Sequence, residues 1–252
     1  MLALRRLWTF IQFTLTEYVR SGRIMIELVA TVLFWGLLLR QYPVSLEQFF
    51  SLASIFTLLM TLYTSAALLN FGERPQGYVI VTRPLGRNGY LLGLYFVALI
   101  VVALMFVLMT ALVLIFNRPL DLVGQSVGSS LVELLKGALP LLLNVALLSS
   151  LMTLLSSLVL SNTLRLLLLA VLAVALYSQA WHLWPVYRFI EPLQSLFSWP
   201  VYPAIAGFKL AMSRNFSGGA GYIPLAQFAL TVLLLSLSLS SFRRRDIILR
   251  NQ

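Results

Sequence analysis

The chain has 252 residues, 60% of them hydrophobic and 10% charged, with a mean hydropathy of +0.92 and a net charge of +10. A soluble domain carries roughly 25% charged and about 45–50% apolar residues, so a water-soluble fold is excluded and lipid must be part of the solvent. The absence of cysteine excludes disulfides, thiolate metal sites and cysteine nucleophiles. The arginines fall in short clusters beside apolar runs, which points to anionic lipid and orientation signals rather than nucleic acid.

Residues 1–22 predict an amphipathic interfacial helix. Leu4, Leu7, Trp8, Ile11, Leu15 and Tyr18 recur at spacings of three and four, with Arg5, Arg6, Gln12, Thr16 and Arg20 between them. Polar interruptions and the lack of a small-residue cleavage site mark this segment as retained rather than as a signal peptide. A spanning helix needs about 20 mostly apolar residues. Such runs are expected at 24–40, which is short and carries Glu27 in its first turn, at 48–70 and at 90–116. The apolar region from 137 to 181 is about twice the spanning length. Its polar break, Ser161-Asn162-Thr163 followed by Arg165, divides it into spans over 137–160 and 164–181. A sixth span covers 223–242, and a basic tail follows over 243–252. The expected fold is therefore an all-α polytopic membrane protein, a single transmembrane domain of six helices.

Two connecting segments stand out. The loop 72–89 is longer than antiparallel helices need, typically 2–8 residues, and its apolar run from Tyr78 to Val81 requires something to rest against. The segment 182–222 is rich in aromatic residues and proline. Its short apolar stretches, Leu193 to Phe197 and Ala204 to Met212, predict re-entrant or interfacial half-helices. Lysine and arginine orient the whole: twelve fall in segments on the side of the termini and six on the other, so both termini are expected to be cytoplasmic.

Residues for chemistry are few. His182 is the sole histidine, and no carboxylate pair has general acid–base spacing. Glu133 and Lys136 form an i,i+3 pair suited to a simple ion pair. Gly124-Gln125-Ser126-Val127-Gly128 matches the nucleophile pattern G-x-S-x-G, but that pattern needs a strand–turn–helix setting. A membrane serine hydrolase built on Ser126 and His182 is one alternative reading, and a non-transporting scaffold or assembly factor is another. No phosphate-cradling G-x-x-x-x-G-K-[ST] is present, so any ATP must be hydrolysed by another polypeptide. Within the spans Asn144 and Gln179 are the notable polar side chains, with Asn144 read as interhelical hydrogen-bonding glue. Scarce intramembrane charge argues against an ion-coupled carrier.

Taken with Glu73-x-x-x-Gly77, Thr82-Arg83-Pro84, and Arg87, Tyr90 and Gly93 entering the third span, this order of elements resembles the membrane subunit of type-2 ATP-binding-cassette exporters. The resemblance covers the whole chain in topology and about twenty residues in motif. It implies that 72–89 holds a coupling helix placing Glu73, Arg74, Gln76, Gly77, Tyr78 and Arg83 against a cytoplasmic ATPase subunit. The N-terminal helix with Arg5, Arg6 and Trp8 would lie beside that subunit, and the half-helices would close an outer gate. It further implies a second permease subunit, identical or similar, and ATP and Mg held by the ATPase rather than by this chain. The expected location is a prokaryotic plasma (inner) membrane, and the expected cargo is amphipathic or lipidic.

Overall fold

The computed structural model describes residues 2–40, 44–72, 86–124, 126–156, 159–160, 163–166, 168–169 and 202–244. Among these the chain forms helices and turns and no strand. In hydrocarbon every backbone N–H and C=O must be satisfied within its own segment, which a helix does and an open strand does not.

Helix α1 covers Leu2–Arg20 and α2 covers Arg23–Phe34, continued by a π-helical turn over Trp35–Leu39. Between α1 and α2 the chain bends by 71°. The bend is made at Gly22, whose φ of 73° lies in the left-handed region that a side chain would disfavour. The Ser21 hydroxyl donates back to the Tyr18 carbonyl at 2.7 Å and closes the end of α1.

Long helices follow: α3 over Leu46–Gly72, α4 over Gly86–Phe116, α5 over Val127–Leu154 and α7 over Tyr222–Arg244, with the shorter α6 over Tyr202–Ser213 preceding α7. The four long helices are each long and apolar enough to cross a membrane, and the bent pair α1–α2 supplies a fifth candidate. The protein is a multi-pass membrane protein. Of the six spans expected, the one at 164–181 lies mainly outside the described residues, as does the half-helix at 193–197. The half-helix expected over 204–212 corresponds to α6.

Helix α5 departs from the expected 137–160 at both ends. It begins ten residues early because Ser126 caps it, its hydroxyl accepting the Ser129 N–H at 3.3 Å. Hydropathy marks where lipid begins, whereas the hydrogen-bonded helix runs on into polar surroundings. It ends at Leu154, before Ser161, with the Ser156 N–H and hydroxyl both turned back to the Thr153 carbonyl. Local hydroxyl-to-carbonyl bonds compete with the helix ladder in this way.

The core lies between α3, α4 and α5, where Phe49, Phe50, Phe56, Val102, Phe106 and Leu141 are buried. At the end of the bundle away from the chain termini, three polar contacts seal the turns. Asn117 donates to the Leu39 carbonyl at 2.5 Å, the Leu46 N–H donates to Asp121 at 2.7 Å, and the Leu120 N–H donates to the Val44 carbonyl at 3.2 Å. Each satisfies a backbone group that a helix end leaves open.

Candidate functional site

The side chains expected to meet an ATPase, Glu73, Arg74, Gln76, Gly77, Tyr78 and Arg83, lie outside the described residues, as does His182. The helices on either side of that segment are described: α3 closes at Gly72 and α4 opens at Gly86. The residues that fasten this end of the bundle are therefore open to inspection.

Helix α1 presents a buried face and a mixed exposed side rather than the single apolar stripe the sequence suggested. Phe10, Ile11, Thr14 and Tyr18 are buried, with Leu7 and Leu15 partly so, and pack towards α4. A β-carbon at Gly93 would overlap the Phe10 ring, so glycine there lets α1 lie directly on α4. Leu4, Trp8 and Val19 form an exposed apolar edge, and Arg5, Arg6, Gln12 and Arg20 are exposed on the next. Phe13 is exposed among these arginines, and a protein face opposite a mixed apolar and basic side suits a helix held at an interface.

At the elbow, Glu27 is fully buried at the start of α2. Its Oε1 accepts the Tyr18 hydroxyl of α1 at 2.6 Å and the Thr64 hydroxyl of α3 at 2.5 Å, while Oε2 has no partner among the described residues. Beside this node Arg23 donates to the Ala67 carbonyl of α3 at 2.7 Å. Three helices thus meet on one carboxyl at the closing turns of α3, next to the segment 73–85.

A second polar node joins α5, α6 and α7. Gln227 donates to Asn144 Oδ1 at 2.6 Å and to the Pro140 carbonyl at 3.1 Å, and Asn144 donates to the Ala204 carbonyl at 2.8 Å. Both amides are fully buried. Gly207 packs against them so closely that a β-carbon would overlap the Gln227 amide. The reading of Asn144 as interhelical glue holds. Gln227 escaped the sequence reading, although an amide within the apolar run 223–242 was a usable signal. Tyr18 was counted as apolar stripe, and nothing in spacing alone paired it with Glu27.

The Ser126 motif serves as a helix cap. Its φ of −66° and ψ of 154° are ordinary extended backbone, and its hydroxyl lies 3.0 Å from that of Ser129. The Glu133–Lys136 pair is formed at 2.7 Å, with Arg214 approaching the same carboxylate at 3.8 Å.

Fold and polar nodes together define a multi-pass helical membrane protein whose polar side chains link helices to one another. No protein-family model, curated protein or solved structure matches the chain.

Proposed function

We propose that this chain is the membrane-spanning subunit of an ATP-driven exporter of the type-2 ATP-binding-cassette class, moving an amphipathic or lipidic substrate outward across a prokaryotic inner membrane. A separate cytoplasmic ATPase subunit would hold ATP and Mg, and a second permease subunit would complete the pathway. The observation that carries this reading is the elbow. Tyr18, Glu27 and Thr64, with Arg23 and the Ala67 carbonyl, tie the interfacial helix and the first span to the last turns of α3. The segment that would receive the ATPase follows directly. A push on 73–85 would therefore move α1, α2 and α3 together.

Two further features support it. Gln227 lies level with Asn144, while Phe242 clusters with Leu154, so α5 and α7 run in the same direction. A return crossing between these two parallel helices would bring the count to the six expected and both termini to the cytoplasmic side. Helix α6 runs antiparallel to α5, with Ala204 beside Asn144 and Arg214 beside Glu133. Its 12 residues, about 18 Å of helix, are of half-membrane length, as a re-entrant element before the last span would be.

The test is co-expression of the chain with candidate ATPase subunits, followed by purification in nanodiscs and measurement of bound partner and ATPase rate. Wild type should retain an ATPase, and the double variant Tyr78→Asp, Arg83→Glu should lose it. Binding that ignores this substitution, or no binding at all, would overturn the reading.

A further inference from the structure

Helix α2 and the π-helical turn that continues it are fastened at both ends. Near the start, Glu27 is held by Tyr18 of α1 and Thr64 of α3. At the far end the Leu39 carbonyl accepts the side chain of Asn117, which follows α4. Between these anchors the helix changes type, running as α-helix to Phe34 and as a π-helical turn over Trp35–Leu39. A π turn bonds i to i+5 and so holds one residue more than an α turn; such turns are rare and are frequent at functional sites.

Exposure shows what the extra residue does. Glu27 and Thr31 mark the buried face of α2. An unbroken α-helix, advancing about 100° per residue, would return Leu38 to within about 20° of Glu27 and turn Leu39 about 120° away. The structure has the reverse: Leu39 is fully buried and Leu38 is 49% exposed. The Arg40 guanidinium lies 5.9 Å from the centre of the Trp35 ring, a pairing at i,i+5 that α spacing would separate. Trp35 itself packs on Phe116 of α4, with 5.2 Å between ring centres. The extra residue thus brings Leu39 and its carbonyl round to α4.

Residues 37, 38 and 39 are all leucine. A shift of register by one residue would put Leu38 where Leu39 now lies, with the same group buried. The helix would regain its i→i−4 ladder and give up two contacts, the Asn117 bond and the Arg40–Trp35 pair. Two arrangements with the same buried side chain and so few contacts between them make a bistable element.

We propose that the turn over Trp35–Leu39 is a register switch. In its second state the helix is α throughout, Leu38 replaces Leu39 against the core, and the far end is turned by about 100° and freed from Asn117. Because Glu27 holds the near end, the motion is confined to the residues beyond Phe34. It releases this helix from α4 without disturbing the elbow. The switch stands on the packing of α2 alone and needs no ATPase, so its failure and that of the exporter reading are separable.

The chain has no cysteine, so single cysteines placed at Leu38 or Leu39 report the register. The full chain in detergent micelles is labelled with N-ethylmaleimide, and the two rates are compared. With no other change, Leu38→Cys should label faster than Leu39→Cys. Asn117→Ala removes one of the two contacts, and should speed labelling of Leu39→Cys while slowing that of Leu38→Cys. Arg40→Gln, at an exposed position, should act in the same direction and carries the test if Asn117→Ala folds poorly. Deletion of Leu37 removes the extra residue, so a plain α-helix then presents Leu39 inward. In that background Leu39→Cys should label slowly whether or not Asn117→Ala is present. The original ratio kept in both Asn117→Ala and Arg40→Gln would overturn the proposal. So would both positions speeding up together in both variants, which is fraying, or fast labelling of Leu39→Cys in the deletion variant.

Discussion

Helices α3 and α7 are almost equally apolar, with mean hydropathies of 1.8 and 1.9, yet 56% of the spanning stretch of α3 is buried and 17% of that of α7. The two helices place their small hydroxylated residues differently: five of those in α3 are buried, whereas Ser236 and Ser240 of α7 are exposed. In α3, Ser54, Thr57, Thr61, Thr64 and Ser65 recur at helical spacing and are all buried. Ser54, Thr57 and Thr61 turn their hydroxyls back to carbonyls of their own helix, so they reach the packed face already satisfied. In α7 the buried polar positions are Gln227, Thr231 and Ser238, a narrow seam, while Leu225, Phe228, Val232, Leu233 and Leu237 face outward. Lipid tails are as apolar as leucine, so hydropathy drives a helix into the membrane without telling it which face to bury. In α3 the small polar residues mark the buried face; in α7 the buried seam is marked by Gln227, Thr231 and Ser238.

The comparison breaks if burial and substitution cost fail to track each other. Phe50, fully buried in α3 against Gly137, should cost about 3–5 kcal/mol when changed to alanine. Phe228→Ala, at a 58% exposed site on α7, should cost less than about 1 kcal/mol by the area it buries. Reversible unfolding in mixed detergent micelles measures both, and equal losses would remove the central place given to α3.

A smaller effect sharpens the account of the seam on α7. A double-mutant cycle with Asn144→Leu and Gln227→Leu should return a coupling of about 0.6–1.7 kcal/mol, the range found for interhelical hydrogen bonds in membranes. A coupling near zero would mean that α6 and α7 are held by packing alone. At the elbow, Tyr18→Phe should remove a net of about 1 kcal/mol. Its signature should be local: faster hydrogen exchange in α1 with the rest of the bundle protected. Uniform exchange across the bundle would show that α1 is not separately fastened. Smallest of all, Leu233→Ala on the outward face of α7 should shift stability by no more than about 0.5 kcal/mol.

Much of the fold was legible because hydropathy and helical periodicity are local properties. The spans at 48–70, 90–116 and 223–242 lie within two to four residues of α3, α4 and α7. The amphipathic 1–22 corresponds to α1, and the half-helix at 204–212 to α6. The beginning of α5 was misjudged because a serine cap, rather than the apolar run, starts it. The polar nodes were half legible. Glu27 and Asn144 stood out as polar residues in apolar runs, but their partners Tyr18, Thr64, Gln227 and the Ala204 carbonyl are distant in sequence.

The sequence by itself determined that this chain enters a membrane, where most of its helices lie and which residues were anomalous within them. Those properties depend on the transfer of each segment from water to lipid, which composition and period specify. Tertiary structure alone decided which face of each helix is protein and which is lipid, that one carboxyl joins three helices, and that Arg214 bends back over Glu133. Each of these depends on groups far apart in the chain meeting within hydrogen-bonding or ion-pairing distance, and no local pattern encodes such a meeting.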